Sequence, residues 1–282
     1  MSLKIKVEDR VPTYPGRVIL TPVANEDNTF DMQRADEPLN SGTPINKALF
    51  DNKAYTLTSD ATLYVSTSGS DVDGDGSIDS PYKTIQKAID EVPKHLGGHT
   101  ATIDIEAGTY EERLVINGFS CGRLVIGVYG RSTTVRGIDI DNSSLVVTNI
   151  SKITYAAGFN GNLFDVNNNS SVLIEQGVTL DATNGGLIGC LYVTNNSTVS
   201  ASSGNSVTAN NGFASIDASY GSRLTLSRVA GSNSYFGLTA SRGAVITYES
   251  STLTSTIGDA ADTGGRIFVG SGTVNLSKAT IE

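Results

Sequence analysis

From residue 138 onward, apolar and polar residues alternate in short runs that recur at a regular interval. Each copy has an alternating strand, a tight turn and a second alternating strand. The copies begin at Ile138-Asp139-Ile140-Asp141, Phe164-Asp165-Val166-Asn167, Leu191-Tyr192-Val193-Thr194, Ile216-Asp217-Ala218-Ser219 and Leu238-Thr239-Ala240-Ser241. The anchors of the second strands are Val146, Val172, Val199, Leu224, Ile246 and, in a degenerate sixth copy, Val274, at spacings of 26, 27, 25, 22 and 28 residues. Six residues before these anchors lie Ile140, Val166, Val193, Ala218, Ala240 and Phe268. The turn positions hold Ser143, Asn169, Asn196, Gly221, Gly243 and Ser271, residue types that tolerate sharp bends. A period near 25 residues built of strands and turns is not a helical repeat. It suits one coil of a parallel β-helix, whose inward apolar positions are buried only when coils stack. A β-propeller is the competing architecture, but its blades need longer repeats of about four strands.

Upstream, Thr62–Ser66 reads as a strand, a Gly/Asp loop follows over 70–79, and Ala101–Glu106 alternates as another strand. Between them Ile85, Ala88, Ile89 and Val92 form one apolar helical face that Pro93 ends. Residues 1–56 differ in character. They hold five of the seven prolines, with strand-like runs at Lys4–Val7 and Arg17–Leu20 and a short helix, capped by Thr43 and Pro44, over Ile45–Phe50. This stretch is too small and too broken by proline to bury much core alone, so it is expected to lean on a neighbour.

Composition narrows the picture. Glycine is abundant (30 residues), tryptophan is absent and only 17% of residues are charged, which would suit disorder were the apolar positions not so regular. The net charge of −9, without a basic cluster, argues against nucleic acid and against an anionic membrane surface as partners. No stretch reaches 18 apolar residues, and Met1–Glu8 lacks the apolar core of a signal peptide, so the chain is expected to be made in the cytoplasm as a soluble protein. Cys121 and Cys190, both in apolar surroundings, read as buried free thiols.

The run Tyr64-Val65-Ser66 with Gly69-Ser70-Asp71, the helix Ser80-Pro81-Tyr82-Lys83-Thr84-Ile85-Gln86-Lys87-Ala88-Ile89 and the turn Ile105-Glu106-Ala107-Gly108-Thr109-Tyr110-Glu111-Glu112 resemble the opening of pectin-lyase-like β-helix proteins, bacteriophage tailspikes among them. The stretches Val11–Val18 and Gly42–Asp51 are similar to the start of tail-fibre proteins in phages and prophages of Gram-positive bacteria. The resemblance implies an all-β fold: a right-handed, single-stranded parallel β-helix over 57–282 with a capping helix near 81–92. Residues 1–56 would form an attachment or oligomerisation module. It further implies a homotrimer in the virion tail, bound to tail or baseplate proteins and recognising host cell-surface polysaccharide. Two rival readings are a tailspike-type polysaccharide glycosidase or lyase and a bacterial surface carbohydrate-binding protein; the absence of a signal peptide weighs against the second.

Candidate chemistry is sparse. Glycoside hydrolysis needs two carboxyl groups at a set separation. Asp165 and Asp217 share one offset two coils apart, hence roughly 9–10 Å at one strand spacing per coil. This could suit an inverting pair, but shared geometry alone is weak evidence of a site, and the preferred reading is two solvated acids on an outer face. The acid, His and Arg patterns of polygalacturonases and pectate lyases are missing, so the balance leans away from an enzyme. His95 and His99 stand four apart, but Gly97-Gly98 between them spoils a helical metal site, and they read as loop histidines. Asp71, Asp73, Asp75 and Asp79, with Gly76 at position six, match the first nine positions of a calcium loop, although Tyr82 stands where the bidentate Glu belongs. No cofactor is required on this reading; a structural calcium ion is the one implied. A polar Asp-Gly turn is the competing interpretation.

Overall fold

The structure, a computed structural model, describes residues 56–158, 161–185, 188–256 and 258–270, together with the backbone of a few short strands outside them. The chain divides into two compact units, 1–52 and 53–282. In the first, Val18–Pro22 pairs antiparallel with Phe30–Arg34, and Val11–Pro12 with Pro38–Asn40. The expected strand at Lys4–Val7 and helix at Ile45–Phe50 lie outside the described residues.

The second unit is a parallel β-solenoid. Its strands stack in three rows, each coil adding one strand to a row. One row is a separate seven-stranded sheet: Arg113–Asn117, Gly137–Asp141, Phe164–Asn167, Leu191–Val193, Ala214–Ala218, Phe236–Ala240 and Ala260–Ala261, with every neighbour pair parallel. The other two rows form one fifteen-stranded sheet because Arg223–Ser234 and Val245–Ser255 run unbroken round a corner. Arg223–Ser234 pairs with Thr198–Ala201 through its first residues and with Ser206–Asn210 through Arg228–Ala230.

The apolar anchors stack as their spacing predicts. Val146, Val172, Val199, Leu224 and Ile246 are direct register partners, and none is more than 2% exposed. The column continues upstream through Leu124 to Ala101, which the recurrence from 138 did not include. Each Val or Leu so buried stabilises the stack by roughly 1.5–3 kcal/mol. Neighbouring residues such as Leu173 and Ser200 face outward, giving the period of two.

The sixth coil corrects the expected register. Ile246 pairs with Ile267 and Ala240 with Ala261, so the last anchors are these and not Val274 and Phe268. Phe268 is the outward partner of Thr247, and Thr273–Val274 turns back antiparallel onto Phe268–Val269. A run as short as Arg266–Val269 offers too few alternations to choose between two registers by sequence; the corner at Thr263-Gly264, with φ of 45° and 83°, decides it. Comparable pairs of left-handed residues mark the earlier corners: Asn168-Asn169, Asn195-Asn196, Tyr220-Gly221 and Arg242-Gly243. Asparagine and glycine recur there because they carry the smallest penalty in this region. Cys121 also has positive φ (56°) and is exposed, correcting the expectation of a buried thiol: the corner turns its side chain out despite apolar neighbours. Cys190 is buried.

The helix spans Ile85–Glu91, capped by the Thr84 hydroxyl, which accepts from the Lys87 N–H. Ile85, Ala88, Ile89 and Val92 are all buried. Glu112, from the coil below, accepts from the Ile85 and Gln86 N–H groups at 2.8 and 2.9 Å. The Gln86 carboxamide accepts from the N–H of Val115 and donates to its carbonyl, satisfying the free edge of the seven-stranded sheet.

Candidate functional site

The outer face of the seven-stranded sheet carries the polar chemistry. Register alone aligns Val115, Asp139, Asp165, Tyr192, Asp217, Thr239 and Ala260 in one outward column. Asp165 and Asp217 therefore share a column two coils apart, as their offset predicts, with Tyr192 between them.

Their surroundings differ. Arg113 lies across the first two acids: its Nε donates to Asp139 at 2.6 Å, its Nη2 reaches Asp139 and also Asp165 at 3.0 Å, and its Nη1 donates to the Asn162 carbonyl at 2.7 Å. The Asn162 amide donates to the other Asp165 oxygen at 2.7 Å. Both carboxylate oxygens of Asp165 are thus engaged, and its side chain is only 13% exposed. A Cβ at Gly137 would press on the Arg113 side chain, so any larger residue there would make the guanidinium shift. Burial pushes the Asp165 carboxyl above its ordinary range, with nearby Asp139 adding to the effect and Asn162 and Arg113 opposing it.

Two coils on, Asp217 stands in a groove of about 200 Å³. Phe213, Ala214, Phe236, Ala260 and Asp262 are among the residues that line this trough. The trough exists because the outward column shrinks from Asp217 through Thr239 to Ala260. Burial raises the Asp217 carboxyl above its usual range; a Thr239 hydrogen bond opposes this, Asp262 adds to it, and Arg242 opposes it. Neither member of the expected pair is simply solvated.

Beside the groove is an aromatic cluster. Phe213 stacks on Tyr235 with centroids 5.7 Å apart and planes at 10°, while Phe236 meets both edge-on at 5.4 and 4.9 Å. Phe213 and Tyr235 are 38% and 46% exposed. The residues recur because Ala214 and Phe236 are register partners, which brings successive coil corners together. Tyr220, likewise exposed, carries the Arg242 guanidinium 4.6 Å from its ring centre. Sequence reasoning missed Arg113, Asp262 and this cluster. Aligning Phe213 and Phe236 against the strands that follow them would have revealed the aromatics; Asp262 was hidden by the misread sixth coil.

A larger, shallower groove of about 710 Å³ lies near the start of the solenoid, lined by Tyr64, Ser66, Asp104, Glu106 and Arg131 among others. Its charges are satisfied internally: Arg131 pairs with Asp104, and Ser66 donates to Glu106.

The Asp-Gly loop is built around its own hydrogen bonds. Asp71 accepts from the Lys83 and Thr84 N–H groups at 2.8 and 3.0 Å and from the Thr84 hydroxyl at 2.8 Å. Asp75 accepts from the Ser77 N–H at 2.9 Å, and Asp73 from the Ser70 hydroxyl at 3.4 Å. Gly76 has φ of 80°, the conformation its place in a calcium loop calls for. Among the described residues no three His, Cys, Asp or Glu side chains converge on one point. His95 bridges strands through its backbone, and His99 Nδ1 lies 3.5 Å from Asp60.

No protein-family model, curated protein or solved structure matches the chain.

Proposed function

We propose that this chain is a tail protein of a phage or prophage particle that displays its β-helix to bind polysaccharide on the host surface. On this reading it acts as a homotrimer, and residues 1–56 attach it to tail or baseplate proteins. The observation that carries the proposal is the exposed Phe213–Tyr235–Phe236 cluster beside the carboxylate-bearing groove on one outward face. Sugar rings offer C–H faces that lie against aromatic rings and hydroxyls that donate strongly to carboxylates. A rigid stack of coils holds such groups in place without ordering cost at binding. The tail assignment draws on the resemblance of residues 7–112 to tail-fibre and tailspike openings.

The test is a saccharide array together with sedimentation on bacterial cells. Binding should be lost in Phe213→Ala and Tyr235→Ala variants whose melting temperatures are unchanged, since both rings are partly exposed. Labelling of purified particles with an antibody to the chain should mark the tail. Failure to bind any saccharide or cell would overturn the recognition role. A second reading, polysaccharide cleavage by Asp165 and Asp217, has their shared column two coils apart in its favour, whereas burial pushes both carboxyls up and an inverting pair needs one of them ionised. Release of reducing ends that Asp217→Asn abolishes would establish it; the engagement of both Asp165 oxygens argues for no release.

A further inference from the structure

We infer that the groove at Asp217 and Asp262 takes an amino sugar with a free primary ammonium group, an inference that rests on saccharide recognition by the same face. Five outward acids of the solenoid are paired with arginines. Asp139 and Asp165 are clamped by Arg113, Asp104 by Arg131, Glu111 by Arg136 and Glu175 by Arg123. Asp217 and Asp262 have no such ion pair among the described residues. Nor do Asp141, Asp181 and Glu249, but these take donors from Asn168, Asn211 and Ser227, and what distinguishes Asp217 and Asp262 is that they line one groove together. The groove they line contains two carboxylates and no Lys or Arg. Arg242 is a cation that acts on Asp217, but its guanidinium is stacked on Tyr220 and it does not line the trough. Two acids against one displaced base leave the groove negative.

The walls sharpen the preference. A carboxylate partly withdrawn from water between phenylalanine and alanine side chains is poorly solvated, and an entering charge of opposite sign compensates it better than a neutral hydroxyl does. Phe213 and Phe236 bound the same space, and aromatic rings attract ammonium groups. The neighbours already present are neutral hydroxyls: Thr239 stands beside Asp217 in the column, and Thr263 donates to Asp262 at 2.8 Å. Both leave acceptor capacity for a donor with several N–H groups, and an ammonium has three. A groove of about 200 Å³ is smaller than the usual small-molecule site of roughly 300–1,000 Å³, which suits one sugar residue within a longer chain.

Isothermal titration in about 0.15 M salt, where long-range attraction is screened, separates this from general affinity for an acidic protein. The probes are a β-1,4-linked glucosamine tetramer and its fully N-acetylated counterpart. The free-amine tetramer should bind on the order of tenfold tighter, the size expected of one partly buried ion pair with aromatic contact. Asp217→Asn with Asp262→Asn should erase that preference, and Asp262→Asn alone should reduce it. Asp60→Asn with Glu91→Gln removes the same charge elsewhere and should leave it intact, while Phe213→Leu should weaken it without any change in charge. Equal binding of the two tetramers, no binding of the free-amine tetramer, or an equal loss in the Asp60/Glu91 variant overturns the inference. If acetylated or other saccharides still bind through Phe213 and Tyr235, the recognition role stands without it; if no saccharide binds, both fall.

Discussion

Replacing Val199 by Asp tests the register on which every outward position rests. Val199 is 1% exposed, stacked between Val172 and Leu224, while Ser200 beside it points outward between Leu173 and Thr225. Removing the valine forfeits roughly 1.5–3 kcal/mol of burial. A carboxyl in its place, with no partner in an apolar column, would have its pKa raised by about 3–5 units, and because the buried group protonates once its pKa passes the working pH, the cost at pH 7 is about 4 kcal/mol. The sum rivals the whole stability of a typical domain, about 5–15 kcal/mol, so Val199→Asp should be unfolded or insoluble at 25 °C. Ser200→Asp should lie within about 0.5 kcal/mol of wild type. The penalty also has a sign in pH. A group whose folded pKa is raised favours folding only in its protonated form, so the Val199→Asp defect should shrink as pH falls towards the ordinary carboxyl value near ~4. Urea titrations followed by far-UV circular dichroism at pH 7 and pH 4 measure both effects. A Val199→Asp protein as stable as Ser200→Asp would refute the register, because a slip of one residue exchanges the two faces.

Three further outcomes are expected. Although burial opposes it, hydrogen bonds from Thr84 and Lys83 hold the Asp71 carboxyl below its usual range, so its contribution is present at neutral pH and lost as pH falls through the folded value; Asp71→Asn should melt a few degrees lower than wild type at pH 7, with the gap closing below about pH 4. A structural calcium ion on Asp71, Asp73, Asp75 and Asp79 predicts that chelator lowers the melting temperature and that Asp73→Ala removes the effect; a melting curve indifferent to chelator eliminates the ion. Light scattering should find a trimer, and a monomer near 29.5 kDa at micromolar concentration contradicts the assembly. If deleting residues 1–56 dissolves the trimer, the contact lies in that module; if the trimer survives, it lies along the β-helix.

The recurrence of Val146, Val172, Val199, Leu224 and Ile246 was enough to establish the coil and its inward face, because the side-chain period of two and the need to bury apolar residues leave one consistent stacking. The same arithmetic put Asp165 and Asp217 in one column, and the helical spacing of Ile85, Ala88, Ile89 and Val92 placed the helix. Where the alternation was short the sequence was silent: Arg266–Val269 admitted two registers, and only the corner at Thr263-Gly264 and the reversal at Thr273–Val274 chose Ile267 as the last anchor. Cys121 shows the same limit, since apolar neighbours suggest burial while the backbone angle at a corner decides which way a side chain points. Two acids at equal offsets looked equivalent in the sequence. Tertiary structure separated them, because Arg113 reaches Asp165 across coils 52 residues apart in the chain, while Asp217 shares its groove with phenylalanines and a second acid from other coils. Stacking is dictated by local periodicity that a single strand already carries; ion pairing and groove shape depend on side chains from different coils, and these become neighbours only once the coils are stacked.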